Sequence, residues 1–587
     1  MSVSGRVALR GIPASHGVAV GPVVMLDRSR GPVPRHTIEP AQVSAEIERL
    51  RAAIEASRQE IEAVRDSLAE SAHSDYGLIL EAHLLMHRDE LLVDAACRRI
   101  QRGKINAEWA LRRTVDELKL PLEQAGSGYF RERAADVEHV GQHIQRHLTG
   151  EGSVLPPVDA PSILIATDLS PADAARLLRS EIRGLVTATG GATGHTALLA
   201  RALEIPAVVG VRGVLAAVDA GEPAIVDGLS GEVVLRPDPA EVGRAASRAA
   251  RHMAFVRGLR ERHDSPDVTA DGVPFEGWAN IELPAEAALV AHDEAPGIGL
   301  YRTEFLYLGR EQAPSEDEQT RIYSDVVSVM APGAVVFRTF DLGGDKLPAH
   351  AAPCANPALG LRAIRLSLAD PDFFREQVRA ILRAGAAGSA KLMFPLVSTL
   401  SELRQARALV ERCASELEAE GVAFSRLPVG LMIEVPSAAL MAQTLAAEVD
   451  FFSVGTNDLV QYTLAVDRGD ARLAPLASSL DPAVLRLLDM TARAAEGASI
   501  GLSMCGDMAS DPIALPLVLG LGYRRLSVPL SSRPLVREVA RRVRLEQARE
   551  LATEALGVAT AEEVRALLVA GFGAQLGELW REEGLEM

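Results

Sequence analysis

The chain has few cysteines and no long uncharged apolar run. Its cysteines are Cys97, Cys354, Cys413 and Cys505, which lie far apart and form no C-x-x-C pair. This spacing argues against a thiolate zinc site and against a disulfide framework. No apolar stretch reaches the roughly 18 residues that a membrane span needs, and the first residues lack the apolar core of a signal peptide. We therefore expect a cytoplasmic protein without membrane insertion.

Positive charge is also scarce. The 587 residues include 61 Lys plus Arg against 79 Asp plus Glu, a formal net charge of −18. A net charge of this sign repels nucleic acid and anionic lipid, so we expect neither as a partner. Lysine occurs only at positions 104, 119, 346 and 391. Almost all other basic residues are arginine. The compact ammonium group at each lysine position is therefore of interest.

The length predicts roughly three or four domains. Residues 1–30 and 149–239 contain short β-rich runs bounded by Gly, Pro or Asp, which is typical of an α/β domain. Residues 31–148, between them, have apolar side chains at spacings of three and four, which predicts an inserted helical bundle. Residues 240–262 are charged and rich in alanine, so we expect a helical linker that moves two domains as levers.

The rest of the chain, residues 263–587, contains eight β-rich runs that are each followed by a helical pattern. This alternation predicts a (β/α)8 barrel, whose chemistry lies just beyond the C-terminal ends of the strands. The polar residues at those ends are Asn280, Arg302, Arg338, Asp341, Lys346, Glu434, Asn457, Asp458 and Cys505. Guanidinium groups bind phosphate and carboxylate, and carboxylates at neighbouring strand ends suit Mg²⁺. The set predicts an anionic ligand held with a divalent metal.

Two plainer readings of these strand ends stay open. The acidic residues pair with the arginines as buried ion pairs in one reading, without any ligand. In the other, Cys505 is an inert buried thiol, as free cysteines mostly are.

A Gly-rich turn from Gly190 to Gly194 separates a predicted strand, which ends at Thr189, from helix-forming residues that begin at Thr196. His195 therefore lies at or next to a helix N-terminus. Amide N–H groups there favour bound phosphate, and the helix dipole favours a neutral, nucleophilic imidazole. The alternative is that the glycines only shape a turn and His195 caps the helix.

A second group of histidines lies in the predicted bundle. These residues, spaced four apart, are His83 and His87, and His139, His143 and His147. A helix presents such a series on one face, where it can bind a metal. The flanking Glu138, Gln142 and Arg146 favour a solvated helix face instead.

Taken together, these segments resemble the Enzyme I family of the bacterial phosphoenolpyruvate:sugar phosphotransferase system, and more widely the phosphoenolpyruvate-utilising enzymes. The resemblance covers nearly the whole chain, including the segments that begin Gly11-Ile-Pro-Ala-Ser-His-Gly and Arg131-Glu-Arg-Ala-Ala-Asp-Val. It implies that His195 takes the phosphoryl group of phosphoenolpyruvate with release of pyruvate. The group then passes to a histidine of the phosphocarrier protein HPr.

The same resemblance implies roles for other residues and segments. By that likeness Glu434 and Asp458 hold Mg²⁺, and Cys505 protonates the enolate of pyruvate. The helical insertion docks HPr, the α/β domain carries the phosphohistidine, and the barrel forms a homodimer. The residues implied to contact phosphoenolpyruvate are Arg302, Arg338, Lys346, Arg362, Asn457 and Arg468.

Two departures from the family pattern affect these expectations. The family usually has a polar or basic residue where Ala192 stands and Ser or Cys where Gly194 stands, so we expect a changed rate of transfer. The stretch between Lys346 and Asn356 is also shorter than usual. Alternative functions are a nitrogen-regulatory branch of the family and a low-flux regulatory phosphoprotein. A nucleotide-dependent phosphoenolpyruvate synthase or dikinase relative is disfavoured, because residues 31–148 are too short and too helical for a nucleotide-binding region.

Overall fold

The structure is a computed structural model in which the chain forms two compact units. The first unit ends at Val256 and the second runs from Arg257 to Arg581. The residues that the structure describes are 5–26, 33–69, 84, 86–87, 90–124, 128–150, 160–169, 177, 180–191, 195–203, 205–261, 266–307, 313–342, 356, 358–467, 473 and 476–582.

The first unit contains an eight-stranded mixed sheet. Its strands are β1 (Val7–Arg10), β2 (Ile12–Ser15), β3 (Val18–Leu26), β4 (Ser162–Ala166), β5 (Ile182–Thr187), β6 (Ala207–Val209), β7 (Pro223–Asp227) and β8 (Glu232–Leu235). They lie in the order β1-β8-β7-β3-β4-β5-β6-β2. Strands β3 to β6 run parallel, and the remaining pairs are antiparallel.

Long helices lie between β3 and β4 in the sequence. They are α1 (Val43–Ala69), α2 (Glu90–Gly103), α3 (Ala107–Gln124) and α4 (Gly128–Thr149). Their apolar residues repeat at helical spacing, so each helix presents one apolar stripe to its neighbours. Leu50, Ile100 and Ile144 are fully buried in the resulting cluster.

The bundle shares a hydrophobic core with the sheet. Ile61 of α1 lies in one buried cluster with Leu164 of β4 and Leu185 of β5. Burial of apolar surface contributes about 25 cal/mol per Å², so this shared cluster holds the bundle on the sheet. Bundle and sheet are accordingly one compact unit.

Three more helices follow in the sequence: α5 (His195–Ala202), α6 (Val214–Ala217) and α7 (Pro239–Glu261). Helix α7 coincides with the predicted linker. Its residue Ala245 packs with Val18 and Ile225, and Arg248 Nη2 donates a 2.8 Å hydrogen bond to Asp227 Oδ2. The first half of α7 therefore packs against the sheet.

The second unit is a closed barrel of eight parallel strands, which confirms the predicted (β/α)8 fold. Adjacent strands pair in sequence order, and the last pairs with the first. They are β9 (Glu276–Ile281), β10 (Gly297–Arg302), β11 (Ala334–Arg338), β12 (Ala390–Phe394), β13 (Val429–Ile433), β14 (Phe451–Val454), β15 (Gly501–Met504) and β16 (Arg525–Pro529).

Helices follow the barrel strands and complete the unit. Their described members are α8 (Glu286–His292), α9 (Glu316–Met330), α10 (Ala363–Ala369), α11 (Pro371–Ala384), α12 (Leu400–Glu420), α13 (Pro436–Leu440), α14 (Ala442–Ala446), α15 (Thr456–Leu464), α16 (Pro482–Ala498), α17 (Leu515–Gly520), α18 (Arg533–Ala540), α19 (Leu545–Ala555) and α20 (Ala561–Glu582). None of the described helices is long and apolar enough to cross a membrane.

Some predicted boundaries were wrong by a few residues. Strand β5 ends at Thr187, not Thr189, because the side chain of Thr187 turns to bond the Thr189 carbonyl at 2.7 Å. Gly11, Pro13 and Ser15 indicate a turn between the first two β-rich runs, but Ile12–Ser15 form strand β2. It pairs only with β6 at the edge of the sheet, where proline is tolerated.

Candidate active site

Polar side chains meet at the C-terminal rim of the barrel. Arg302 and Arg338 are the last residues of β10 and β11, Glu434 directly follows β13, and Cys505 directly follows β15. Because all strands are parallel, their C-terminal ends share one rim. The prediction that these residues stand at strand ends is confirmed.

Three buried carboxylates converge at this rim. One oxygen each of Asp341, Glu434 and Asp458 lie within 4.8 Å of one another. The backbone N–H of Leu396 donates a 2.6 Å hydrogen bond to Glu434 Oε1 and fixes that carboxylate. A side chain at Gly455 would meet Glu434 Oε2 at 2.9 Å, so glycine there leaves room for the cluster.

Two arginines neutralise the cluster from one side. Arg338 Nη1 lies 2.9 Å from Asp341 Oδ2, and Arg338 Nη2 donates a 2.7 Å hydrogen bond to Glu304 Oε1. Arg362 Nη2 donates to Asp341 Oδ1 at 2.7 Å and to Asp458 Oδ2 at 3.3 Å. Arg338 Nε is buried and makes no hydrogen bond with the described residues.

Burial and mutual repulsion shift the carboxylates. Burial raises the pKa of Glu434 to about 8, and the charges of Asp341 and Asp458 add to the rise. Burial also raises the pKa of Glu304. For Arg338, burial favours a lower pKa, but Glu304 and Asp341 outweigh it and raise the pKa. The guanidinium therefore stays charged while the carboxylates carry excess repulsion.

This cluster fits a divalent cation. Hard cations such as Mg²⁺ and Ca²⁺ take carboxylate oxygens as ligands, and three convergent oxygen donors are present. Burial and the charges of Asp341 and Asp458 raise the pKa of Glu434, and a cation would relieve the same repulsion. Asp341, Glu434 and Asp458 could thus hold a metal.

Two more predicted residues line the same rim. Arg302 Nη1 donates a 2.5 Å hydrogen bond to Glu282 Oε1, and more than a third of the Arg302 side chain is exposed. Asn457 Oδ1 accepts a 2.9 Å hydrogen bond from the backbone N–H of Asp507. This bond does not use the side-chain NH2 group of Asn457. Lys346 and Arg468 lie outside the described residues, so their predicted roles stay predictions.

Cys505 is a buried thiol next to the rim. It is 4% exposed, and its Sγ lies 3.6 Å from the Val454 carbonyl oxygen. Burial raises the pKa of Cys505 to about 11. The group is therefore a protonated thiol at neutral pH, a state that donates protons and does not act as a nucleophile.

Sequence reasoning did not assign Glu304 to the site, and it did not name Asp341 as a metal ligand. Asp341 was recognised at a strand end but not grouped with Glu434 and Asp458, since its approach depends on how the loop after β11 folds. Glu304 lies in the turn directly after β10. It is buried because it pairs with Arg338, a contact between two strand ends that no local sequence pattern shows.

The second predicted site lies in the first unit. Helix α5 begins at His195, so the prediction that His195 lies at a helix N-terminus is confirmed. Gly190 has φ of 106°, a backbone conformation that favours glycine in the turn before it. The His195 side chain lies outside the described residues, and so do Ala192 to Gly194.

The residue after His195 is held by an acidic group. Thr196 Oγ1 donates a 2.8 Å hydrogen bond to Asp168 Oδ1, and His139 Nε2 of helix α4 lies 3.5 Å from Asp168 Oδ2. Burial favours a higher pKa for Asp168, but His139 and Thr196 outweigh it and lower the pKa. An ionised Asp168 therefore connects helix α5 to the bundle.

Three family models match this chain. The model of the PEP-utilising enzyme N-terminal domain matches residues 10–133, and that of the mobile domain matches residues 158–231. The model of the PEP-binding domain matches residues 256–545, which include the whole described rim of the barrel.

Curated relatives cover almost the full chain. Phosphoenolpyruvate-protein phosphotransferase of Geobacillus stearothermophilus is 41% identical over 560 residues, 95% of this chain and 96% of its own. The proteins of the same name from Listeria innocua and Staphylococcus aureus are 40% and 38% identical, each covering 95% of this chain and 98% of its own. The chain therefore belongs to the PEP-utilising enzymes, and within them to the phosphoenolpyruvate-protein phosphotransferase family.

Proposed function

We propose that this protein transfers the phosphoryl group of phosphoenolpyruvate to its own His195, releases pyruvate, and passes the group to a histidine of an HPr-type phosphocarrier. Family membership supports this function along nearly the whole chain. The observation that carries it is Arg338, a buried guanidinium whose Nε has no described hydrogen-bond partner beside three convergent carboxylates. That arrangement suits a small phosphorylated acid bound together with a cation.

We propose that Asp341, Glu434 and Asp458 hold Mg²⁺. When bound, this ion neutralises charge on the phosphate oxygens and on the enolate oxygen. The chain itself orients the site: Leu396 N–H fixes Glu434, and Arg362 bridges Asp341 and Asp458. The carboxylates are thus held in place before any ligand arrives.

The anionic substrate then binds through charge. Arg338 and Arg362 lie against the carboxylate cluster, and Arg302 stands at the end of the neighbouring strand β10. Forked guanidinium groups match the paired oxygens of phosphate and carboxylate. We propose that these arginines and Asn457 contact phosphoenolpyruvate, together with the predicted contacts Lys346 and Arg468.

Phosphoryl transfer requires in-line placement and charge neutralisation. In the proposed step a ring nitrogen of neutral His195 forms a bond to phosphorus, and the bond from phosphorus to the enol oxygen breaks. The electron pair of that bond stays on the enolate. The Cys505 thiol then gives its proton to the methylene carbon, which yields pyruvate, and solvent returns a proton to the sulfur.

The first unit contains both proposed partners of the second transfer step, the docking surface for HPr and the phosphohistidine. We propose that residues 31–148 dock HPr and that residues 1–30 with 149–239 carry the phosphohistidine. The shared core of bundle and sheet keeps the two together.

A homodimer through the barrel is supported by large exposed apolar side chains on that unit, among them Leu359 and Leu440. The described cysteines are all free thiols, which suits the reducing cytoplasm.

One steady-state experiment tests this function. Purified protein is mixed with phosphoenolpyruvate, Mg²⁺ and HPr, without nucleotide, and pyruvate is measured against phospho-HPr. We expect one pyruvate for each phospho-HPr and many turnovers per enzyme. Pyruvate that forms only when ATP or AMP is added would instead support the dikinase relative. Phosphorylation of the chain without transfer to HPr would support a regulatory phosphoprotein or another carrier protein.

A further inference from the structure

A chain of polar side chains crosses the interior of the helical bundle. The hydroxyl of Ser57, on helix α1, lies 2.6 Å from His87 Nε2 and 2.6 Å from His143 Nδ1. Ser57 is fully buried, and both histidines are 3% exposed. The sequence suggested a solvated face for His143, and that interpretation is wrong. Residue 143 instead points between α4 and α1.

The other ring nitrogen of His143 faces an acidic group. Glu60 Oε2, one turn further along α1, lies 3.2 Å from His143 Nε2 and 3.0 Å from His147 Nε2. The three ligand-type atoms lie within 4.8 Å of one another. His143 and His147 are one turn apart on α4, so their rings share a face. The side chains of Glu60 and His147 are 29% and 28% exposed, which leaves a path from solvent.

His143 Nε2 is buried and faces Glu60 Oε2. The same carboxylate oxygen also faces His147 Nε2, so two ring nitrogens and one carboxylate oxygen converge on one point. A cation bound there would contact all three ligand atoms at once.

The hydrogen bonds of Ser57 allow the His143 tautomer that metal binding needs, with the proton on Nδ1 and a lone pair on Nε2. Ser57 has one hydroxyl proton and contacts two imidazoles. When His143 Nδ1–H donates to Ser57 Oγ, the hydroxyl donates to His87 Nε2. His143 Nε2 is then a lone pair directed at the same space as the Glu60 carboxylate. A histidine that binds a metal through one nitrogen is commonly oriented in this way through the other.

We propose that Glu60, His143 and His147 form a binding site for Zn²⁺ or a similar transition metal, which joins helix α1 to helix α4. Two imidazoles and one carboxylate suit zinc and are unsuited to Mg²⁺, which prefers oxygen ligands. A fourth position stays open to water on the exposed side. The bound ion stabilises the bundle, because only the folded helices bring the three ligands together.

The competing explanation is an ion pair in which Glu60 is shared by two histidines. It needs a proton on His143 Nε2 or on His147, and it gives no reason for transition-metal affinity. The two explanations therefore differ in one observable, the binding of zinc by the folded protein.

The test uses the full-length, tag-free protein, stripped with a chelator and kept in excess Mg²⁺ so that the barrel carboxylates are occupied. Zn²⁺ is titrated in competition with a chromophoric chelator, and binding of Co²⁺ is followed by its visible absorption. We expect one high-affinity zinc ion per chain and slower hydrogen exchange of the α1 and α4 amides when it is bound. Affinity should fall at least tenfold in Glu60→Gln and in His147→Ala.

His36→Ala is the matched control, since His36 is an exposed histidine of the same unit; it should bind zinc as the wild type does. Both test positions are partly exposed, and circular dichroism checks that the helices remain. His143→Ala is less informative because its loss disturbs the Ser57 and His87 contacts. Equal zinc binding by the wild type and His147→Ala, or no high-affinity binding at all, would overturn the proposal.

Discussion

Thr196 Oγ1 donates a 2.8 Å hydrogen bond to Asp168 Oδ1, directly beside His195 at the start of helix α5. Thr196 is 3% exposed, so water does not readily replace this bond. Because Asp168 also lies 3.5 Å from His139 on helix α4, the contact links the first turn of α5 to the helical bundle.

Thr196→Val should slow phosphorylation of His195 about tenfold. A hydrogen bond to a charged group contributes about 1.5–3 kcal/mol, and part of it holds the helix start in the reactive position. Rapid-quench measurement of phosphoprotein formation gives the rate. Thr189→Val is the control, since the Thr189 hydroxyl donates to the Thr167 carbonyl at 2.9 Å and not to Asp168. Equal rates in the two variants would show that Asp168 does not position the histidine.

Glu304→Gln should raise the KM for phosphoenolpyruvate about tenfold. Glu304 fixes Arg338 at 2.7 Å, and a neutral amide binds the guanidinium more weakly. Steady-state kinetics with HPr gives KM and kcat separately. Glu316→Gln is the matched variant, because Glu316 also pairs with arginines, Arg379 and Arg383, on helix α11. It should lower stability without a change in KM; a similar rise in KM would contradict the assignment.

Cys505→Ala should leave the KM for phosphoenolpyruvate within about twofold and slow pyruvate formation. Burial raises the pKa of Cys505 to about 11, so the thiol is present as a proton donor throughout the neutral range. General acids typically contribute about 10²–10⁴-fold. The wild-type turnover rate should therefore not fall below pH 9 through ionisation of the Cys505 thiol. An unchanged rate of pyruvate release in the alanine variant would remove Cys505 from the mechanism.

Glu138→Gln should destabilise the bundle at neutral pH and much less in acid. Burial favours a higher pKa, but hydrogen bonds from Lys119 and Arg112 outweigh it and lower the pKa of Glu138 to about 2. A lowered carboxyl pKa contributes stability above the unfolded value of about 4.5, and this stability is lost as the pH falls towards 2. The expected deficit is about 3 kcal/mol at pH 7.

Hydrogen exchange of the bundle amides measures this deficit across the pH range. The control is Glu55→Gln, since Glu55 lies on the exposed side of α1, where ion pairs contribute little. A Glu138→Gln deficit that is as large at pH 3 as at pH 7 would contradict the linkage argument.

Much of the fold could be predicted from the sequence, because strand interiors are apolar and are bounded by Gly, Pro or Asp. That pattern is local, and it was sufficient for the barrel, while apolar spacings of three and four were sufficient for the helical insertion. Strand β2 was missed because Pro13 is unfavourable in most strands and acceptable at an edge, and edge position depends on the whole sheet. The domain roles and the site roles remain predictions.

The contacts within the site were less predictable. Arg302, Arg338 and Glu434 were found because each ends or follows a strand. The pairing of Glu304 with Arg338 depends on how a turn after β10 folds against β11. Likewise, His143 is buried although its sequence neighbours are polar, because those neighbours point to other faces of α4. Neither feature has a local sequence signal.

The most direct measurement is a single-turnover reaction of the protein with phosphorus-labelled phosphoenolpyruvate and Mg²⁺, without nucleotide or HPr. The account predicts one acid-labile, base-stable label per chain and one equivalent of pyruvate in the wild type, and neither in His195→Ala. Label that persists in His195→Ala, or that appears only with added ATP, would contradict it.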